Sequence, residues 1–503
     1  MDTFDRYVLL LLTALPFFGG LALVLFPSSR PVFMRAFTLL VTTATLGLSA
    51  YVFLNYDRGQ GGFQMVQRFA WLPSIGASLH LGVDGISAAL TLLNGIVAFA
   101  GTLISWKLAT RPKDFFVLFL LLIAGVYGTF ASLDLLFFFF FYELAVLPMY
   151  LLIGVWGSST DFRTFLRTKE YSALKLTLYL VAGSVLVWVA LLAMWVDGGD
   201  ALGRSSFGFL DLQTVHYSAN FQKLFFPFLM VGFGVLAGLW PFHTWSPDGH
   251  VAAPTAVSML HAGVLMKLGA YGILRIGMQL LPEGAAAWAP VLIGLGTVNV
   301  IYGAVSAIAQ RDLKYVVGYS SVSHMGYVLM GLGTLDAAGI NGATLQMFSH
   351  GIMTALFFAM VGVIYDRSHV RDISVFEGLA KRMPVAVSAL TVAGLASLGL
   401  PGLSGFVAEF MVFVGTFRTY PILGALAVIG AALTAVYILR LVAKAFFGPL
   451  DDRWRGLTDA SRMEMGAAAL LIAFLALWGL YPWYIMKVID SGVAPIVQRL
   501  ASG

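Results

Sequence analysis

One stretch of this chain interrupts an apolar run that extends from 224 to 268, and it reads Trp240-Pro241-Phe242-His243-Thr244-Trp245-Ser246-Pro247-Asp248. Backbone freed by Pro241 needs new hydrogen-bond partners, and irregular backbone is tolerated at membrane depth only where protein or a water-filled cavity surrounds it. The helix that follows carries Lys267, and an ionisable group near mid-bilayer costs roughly 2.5–3.5 kcal/mol on insertion scales. The break and the buried lysine together predict an aqueous pathway. The alternative is a proline that merely bends one helix.

The composition around this stretch is that of a polytopic membrane protein. Of 503 residues, 59% are hydrophobic and 11% are charged, which is unlike a soluble globule. Fourteen apolar segments reach about 20 residues, the length that crosses a bilayer. They lie near 7–26, 33–55, 84–106, 115–132, 134–156, 171–196, 223–242, 253–278, 287–309, 313–335, 340–365, 384–415, 421–447 and 463–486. We therefore predict an all-α membrane protein with about 14 transmembrane helices.

Several kinds of chemistry are excluded from this polypeptide. Cysteine is absent, so the chain cannot itself ligate an iron–sulfur cluster through thiolates. Neither a G-x-G-x-x-G turn nor a G-x-x-x-x-G-K-[ST] phosphate loop occurs. Any nucleotide or redox work therefore belongs to partner chains. The net charge of +5 is spread over short loops and does not indicate nucleic-acid binding.

The basic residues predict the orientation. Most of the 30 Lys and Arg residues lie in loops that follow odd-numbered spans, for example Arg163, Arg167 and Lys169 after span five. An excess of basic loop residues marks the cytoplasmic side. With an even number of spans, both termini are then expected outside the cytoplasm. The loop 55–84 is expected to form a short hairpin that covers the outer face.

Span five carries a carboxylate in an unusual setting. Glu143 follows six consecutive aromatic residues, 137–142, and an intramembrane carboxylate is a functional candidate by default. Its expected partner is Lys175, near the cytoplasmic end of span six. A purely structural ion pair is the alternative. Buried pairs are weak evidence for stability, which favours the functional interpretation.

Later spans add two buried histidines and a second break. His324 and His350 lie on apolar helices among small polar residues. A lone buried histidine is more often a core residue, but two beside intramembrane charges indicate a proton relay, because the ordinary histidine pKa lies near neutrality. Residues 399–405 interrupt span twelve, and Glu409 follows one turn later.

The two breaks, in spans seven and twelve, lie five spans apart. Proline-interrupted helices at corresponding positions of two halves indicate inverted repeats with a pathway at the membrane midplane. We therefore predict two inverted five-helix repeats, at 115–278 and 287–447. An N-terminal unit at 1–114 precedes them, and helix 14 with a tail follows at 448–503.

Five motifs identify a family when they are taken together. They are Phe141-Tyr142-Glu143-Leu144, Pro241-Phe242-His243-Thr244-Trp245-Ser246-Pro247-Asp248, Ala253-Pro254-Thr255-Ala256, Ser323-His324-Met325-Gly326-Tyr327 and Phe406-Val407-Ala408-Glu409-Phe410. They resemble the antiporter-like subunits of respiratory complex I from span three to span thirteen, most closely subunit M. Subunit L has a long lateral helix beyond its core, and this chain ends shortly after span fourteen.

The resemblance implies a proton-translocating, non-redox subunit in a bacterial inner membrane. Flavin and iron–sulfur clusters would then reside on partner subunits, and the chain would contact neighbouring subunits L and N, lipids and no nucleic acid. The residues that would carry protons are Glu143, Lys175, His243, His261, Lys267, His324, His350 and Glu409. We expect the path to run from Lys267 through His324 and His350 to Glu409.

One position departs from the family pattern. The family usually has a lysine in span seven, seven residues before the histidine of the P-x-H motif. In this chain that position is occupied by Leu236. His261, where subunit M often has an apolar residue, is a candidate replacement. It lies roughly 9 Å along the helix axis from Lys267 and about 240° around it, so it is expected to face the broken helix while Lys267 faces span ten. The alternative for His261 is a core histidine bonded to a carbonyl that Pro241 frees.

Two other functions stay open. A subunit of a multi-subunit sodium/proton antiporter or of a membrane-bound hydrogenase belongs to the same superfamily, and the sequence hardly separates these from complex I. A structural subunit that conducts no protons is the third possibility, which Leu236 favours and the retained intramembrane charges oppose.

Overall fold

The computed structural model describes residues 3–162 and 166–502. Arg163, one of the residues behind the predicted orientation, lies outside this described part. Twelve helices within it are long and apolar enough to cross a membrane. Helix α13 and the two halves of span twelve, defined below, complete the fourteen predicted spans. The prediction of an all-α polytopic membrane protein is thereby confirmed.

The N-terminal part consists of three spans and a hairpin. Its elements are α1 (Thr3–Leu25), α2 (Pro31–Asn55), β1 (Gln64–Leu72), β2 (Ala77–Val83) and α3 (Gly85–Ile104). The antiparallel strands form the predicted hairpin, and we call the side of the membrane on which it lies the outer face. Asp84 caps α3, because its side chain accepts hydrogen bonds from two backbone N–H groups of the first turn.

The next elements lead to the first break. They are α4 (Pro112–Ala131), α5 (Leu135–Trp156), β3 (Thr160–Asp161), β4 (Leu166–Arg167), α6 (Lys169–Leu202), α7 (Phe209–Leu212), α8 (Ala219–Ala237) and α9 (Trp245–Ala252). Span eight, 255–278, alternates α-helical and π-helical segments. These are α10 (Thr255–Leu260), a π segment (His261–Leu265), α11 (Met266–Gly272) and a second π segment (Ile273–Met278).

The remaining helices complete the bundle. They are α12 (Pro282–Ala309), α13 (Leu313–Gly333), α14 (Ala337–Ser368), α15 (Pro384–Ser397), α16 (Ser404–Thr419), α17 (Pro421–Phe446), α18 (Arg462–Leu480) and α19 (Trp483–Ser502). Short 3-10 turns lie at Pro73–Ile75, Ser105–Lys107, Ile373–Val375, Leu379–Lys381 and Asp452–Trp454. Span eight and the middle of α14 are buried and form the centre of the molecule.

Asn299 of α12 supplies partners for the backbone at the first break. Its Oδ1 accepts a hydrogen bond from the N–H of Trp240 at 2.6 Å, and its Nδ2 donates to the carbonyl of Gly238 at 2.7 Å. Gly238 has a φ of 79°, a conformation that glycine adopts without steric cost. One amide side chain thus bonds both a donor and an acceptor that the break releases.

Cations bond the carbonyls where the broken span ends. Lys314 Nζ donates to the carbonyl of Ala253 at 2.9 Å, and Arg371 Nη1 donates to that of Val251 at 3.3 Å. A helix C-terminus carries a partial negative charge and carbonyls without intrahelical partners. The two basic side chains compensate the partial negative charge and donate hydrogen bonds to the free carbonyls. This explains how α9 can end inside the protein.

The chain beyond span fourteen is helical. Span fourteen was predicted to reach residue 486, but α18 ends at Leu480 and Pro482 precedes a separate helix, α19. One face of α19 is buried, including Val488 and Ile489. Asp490 accepts a hydrogen bond from Asn341 at the start of α14, at 2.8 Å. This helix lies against the outer ends of α3 and α14, so the predicted tail is a packed helix.

Candidate functional site

Asp248 of α9 is the centre of a buried polar cluster. Its Oδ2 accepts a hydrogen bond from Lys175 Nζ at 2.9 Å, and its Oδ1 accepts one from Tyr315 Oη at 2.8 Å. Arg167 Nε lies 3.6 Å from the same carboxylate. The expected pairing of Lys175 with Glu143 is therefore wrong, because the lysine side chain bonds the carboxylate of the broken helix.

Glu143 lies on α5 and does not pair with Lys175, its expected partner. Its side chain is partly buried, and Oε1 has no hydrogen-bond partner among the described residues. Ser184 of α6 lies beside the carboxyl group. Leu236, at the position where the family usually has a lysine, is fully buried. Glu143 thus forms no ion pair with a described residue, because Lys175 bonds Asp248 instead.

His243 lies in the turn between the two halves of span seven. Its ring packs edge to face against Tyr302 of α12, with centroids 4.9 Å apart. In the described part of the chain neither ring nitrogen has a hydrogen-bond partner, and both are buried. The structure therefore places His243 at the turn without joining it to another predicted site residue.

His261 faces the broken span, as expected. Its ring lies 4.3 Å from that of His250 on α9 and 5.2 Å from that of Trp245. Neither nitrogen of His261 is bonded to a described residue, so the alternative of a histidine bonded to a freed carbonyl is wrong. His250 Nε2 lies 3.3 Å from the sulfur of Met266, and its Nδ1 has no described partner. We call His250 and His261 the histidine pair.

Lys267 lies at the centre of the molecule. Its Nζ donates to the carbonyl of Ala262 within the first π segment and lies 2.9 Å from His350 Nδ1. A π turn displaces backbone bonds, and such turns are frequent at functional sites. The expectation that Lys267 faces span ten is wrong, because its side chain reaches α14, which is span eleven.

A chain of contacts continues from His350 to Glu409. The rings of His350 and His324 are stacked with centroids 5.3 Å apart. His324 Nδ1 lies 3.1 Å from Glu409 Oε1, and His324 Nε2 lies 2.8 Å from Ser397 Oγ at the second break. The expected order of the two histidines is therefore reversed, since His324 and not His350 contacts Glu409.

Sequence reasoning missed several members of this site. Gln346 Nε2 lies 3.2 Å from Glu409 Oε1 and 3.3 Å from His324 Nδ1. It precedes His350 by four residues, so helical periodicity places both on one face of α14. Asp248 and His250 lie in or directly after the quoted motif, and their position beside the break was the signal that could have identified them.

The site extends across the whole bundle. We call Lys267, His350, His324 and Glu409 the central relay; all four side chains are buried. Buried titratable groups set between two broken helices are the arrangement typical of membrane subunits that carry an ion pathway at the midplane. The fold and this site together define the class: a polytopic membrane protein with a buried series of titratable side chains at its centre.

Comparison with known proteins gives the family. Residues 132–434 match the family described as NADH:quinone oxidoreductase/Mrp antiporter, TM. NAD(P)H-quinone oxidoreductase chain 4 1 of Synechococcus elongatus is 39% identical over 499 residues, which cover 97% of this chain and 91% of the relative. The chain belongs to this antiporter-like family.

Solved structures agree with this assignment. A chain of respiratory complex I from Thermus thermophilus with bound NADH matches with a TM-score of 0.86 at 28% identity, covering 98% of this chain and 99% of the other. A chain of the Mrp complex from Dietzia sp. matches with a TM-score of 0.83 at 18% identity, over 99% and 100%, which shows the fold alone. The resemblance to subunit M of complex I is confirmed.

Proposed function

We propose that this chain is a proton-translocating membrane-arm subunit of a complex I-type quinone oxidoreductase. One observation carries the proposal: the contacts from Lys267 through His350 and His324 to Glu409 form a continuous buried series of titratable groups. The relatives named above support the type of complex. This chain moves protons and performs no electron transfer.

The central relay passes a proton in three steps. Lys267 Nζ releases a proton to His350 Nδ1 across 2.9 Å, leaving a neutral amine and an imidazolium. His350 then releases its Nε2 proton through water to His324, since His350 Nε2 has no hydrogen-bond partner among the described residues. His324 gives the proton on Nδ1 to Glu409 Oε1 across 3.1 Å, which leaves a neutral carboxyl group at the end of the relay.

The histidine pair supplies Lys267 from the broken span. His261 immediately precedes Ala262, whose carbonyl accepts from Lys267, and its ring is in contact with that of His250. Because Leu236 supplies no titratable group, His261 takes the place of the family lysine. His243 contributes through water at the turn, and Lys175 with Asp248 forms the charged cluster on the cytoplasmic side of the pair.

Glu143 acts at the end of the subunit. Its carboxylate is partly buried and has no described cation beside it, so its charge responds to a neighbouring subunit. Subunits L and N are the proposed neighbours, and flavin and iron–sulfur clusters reside on other partners. The chain lies in a bacterial inner membrane with both termini outside the cytoplasm.

Two alternatives are set aside on specific observations. A sodium/proton antiporter or hydrogenase subunit would have a similar fold, but among the solved structures named above the identity is 28% to the complex I chain against 18% to the Mrp chain. A subunit without conduction would not need four buried titratable side chains in sequence, each of which is costly in a membrane.

The proposal is tested with Glu409→Gln in the complex purified through this chain and reconstituted in vesicles. The amide can still bond Gln346 but cannot accept a proton. We expect assembly to be unchanged and proton translocation per quinone reduced to fall. Glu377→Gln, at an exposed loop carboxylate, is the control. Unchanged translocation in an assembled Glu409→Gln complex would show that the relay does not carry protons.

A further inference from the structure

A cavity of about 210 Å³ opens between α12 and α17 on the side of the membrane opposite the hairpin. It lies at the ends of both helices, beside the turn Ile373–Val375. Its polar lining residues are Gln310, Arg311, Ser374, Tyr437, Arg440 and Lys444. None of them belongs to the central relay or the histidine pair, so the cavity has no part in the proposed proton path.

The lining carries three positive charges and no carboxylate. Arg311, Arg440 and Lys444 form no ion pair with any residue that the structure describes. The neighbouring Asp312 is bonded to Arg371 at 3.1 Å. Asp372 Oδ1 borders the cavity, where it accepts hydrogen bonds from the backbone N–H and the hydroxyl of Ser374. The three cations still give the lining a net positive charge, which an anion would compensate.

Apolar stripes lead away from the cavity along both helices. On α17, Ile429 and Val436 are exposed, and Arg440 and Lys444 continue the same stripe at helical spacing. On α12, Val298 and Val305 are exposed and form the neighbouring stripe. The cations thus lie at the end of two apolar stripes on α12 and α17, the ridges of this site, which face the hydrocarbon of the bilayer.

We propose that this cavity binds the headgroup of an anionic phospholipid, with its acyl chains along the ridges of α12 and α17. Basic pockets between transmembrane helices on the cytoplasmic side recognise anionic headgroups, and arginine pairs with phosphate through two parallel hydrogen bonds. A free phosphate would contact only the basic side chains and not the apolar ridges. The ridges are what distinguish a lipid.

The cavity lies where α12, α13 and α17 meet. Tyr437 lines the cavity, and its hydroxyl donates to Ser320 Oγ of α13 at 3.0 Å. Arg440 Nη1 donates to the carbonyl of Ile308 on α12 at 2.9 Å. A headgroup that bonds Arg440 and Lys444 therefore rests on α17 while its other contacts lie on α12, and its loss lowers the thermal stability of the complex.

The test uses the complex purified through this chain in mild detergent, with the phospholipids that remain bound counted by mass spectrometry. We expect Arg440→Gln with Lys444→Gln to lose one anionic phospholipid per complex, because glutamine keeps a donor and removes the charge. Lys381→Gln with Arg382→Gln, at exposed basic residues outside the cavity lining, should lose none. Equal lipid counts in both double variants would overturn the proposal.

A second measurement uses the unaltered complex after delipidation. Adding phosphatidylglycerol should raise its melting temperature, whereas phosphatidylcholine and inorganic phosphate should not. An equal rise with inorganic phosphate would identify a simple anion site and overturn the lipid assignment. An equal rise with phosphatidylcholine would show that the charges are not recognised, with the same consequence.

Discussion

His261 is the proposed replacement for the span-seven lysine that Leu236 replaces in this chain. Both of its ring nitrogens lack described partners, and its ring contacts His250 across the break. We predict that His261→Leu lowers proton translocation by about tenfold, equivalent to about 1.4 kcal/mol, without loss of assembly. Adding Leu236→Lys should restore part of the activity, because it returns a titratable group to span seven. Proton uptake by vesicles containing each variant measures this.

His216→Leu serves as the control for His261. His216 is an exposed histidine in the loop before α8, so the same change there should leave translocation unaltered. If His261→Leu pumps normally, water alone crosses the gap left by Leu236, and the role given to the histidine pair is wrong.

Glu143 tests whether an unpaired carboxylate is functional. Glu143→Gln keeps the shape of the side chain and its polar neighbour Ser184, so assembly should be preserved. We predict that coupled quinone reduction and proton translocation fall together, since the charge no longer reaches the neighbouring subunit. Glu170→Gln, at an exposed carboxylate of the first turn of α6, should change neither. Normal pumping in assembled Glu143→Gln would contradict the prediction.

Isolated charges of the candidate site could be proposed from the sequence, but Asp248, His250 and Gln346 were missed, and the pairing of the side chains could not be predicted. A charged residue within an apolar run can be recognised in the linear sequence, which is why Glu143, Lys267 and Glu409 were identified. Partners depend on where two helices cross and how far a side chain reaches. Lys175 therefore bonds Asp248, and His324 takes the place beside Glu409 that was expected for His350.

At the scale of elements, the outer hairpin contains a buried histidine whose protonation would oppose folding. His80 of β2 is buried, and burial, followed by the charge of Arg68, lowers its pKa from 6.5 to about 4. The unfolded hairpin therefore binds more protons than the folded one between those values, and stability rises with pH across that window. The stabilisation is complete above pH 6.5 and is lost as the pH falls towards 4.

We predict that acidification from pH 7 to pH 4.5 increases hydrogen exchange at the amides of β1 and β2 in the intact complex. His80→Gln has no titratable group and should show no such increase beyond the intrinsic pH effect on exchange. The contrast should appear as the pH falls from 6.5 towards 4, the range across which the pKa of His80 is lowered. Equal pH responses of the two proteins would show that His80 does not control the hairpin.

The elements themselves were largely predictable. Apolar runs give the spans, and proline and glycine mark the breaks at Pro241 and 399–405, because neither break can keep its backbone bonds. Helix α19 was missed because its apolar face is only one side of an otherwise polar helix, so it lacks the continuous apolar run of a span. Asn299 was missed because its role depends on the crossing of α12 with span seven.

At the scale of the whole molecule, one buried ion pair ties the outer end of the bundle together. Arg275 Nη2 lies 2.5 Å from Asp84 Oδ2, joining span eight to α3, and its Nη1 donates to Gln279 at 2.7 Å. The guanidinium also lies 5.0 Å from the ring of Phe63 in the hairpin loop. Gly492 of α19 packs so close that an added Cβ would lie 3.1 Å from Asp84 Oδ2.

Replacing one partner of this ion pair should destabilise the protein far more than replacing both partners together. Asp84→Asn keeps the cap of α3, because asparagine is as good an N-cap residue, yet it leaves Arg275 buried without its counter-charge, at a cost of about 3–5 kcal/mol. Arg275→Met strands the carboxylate in the same way. We predict that each single variant lowers the melting temperature of the purified complex, while the double variant lies closer to the unaltered protein than the sum of the two effects. That non-additivity is what a direct interaction produces. Additive losses in the double variant would show that the pair does not hold span eight, α3 and α19 together.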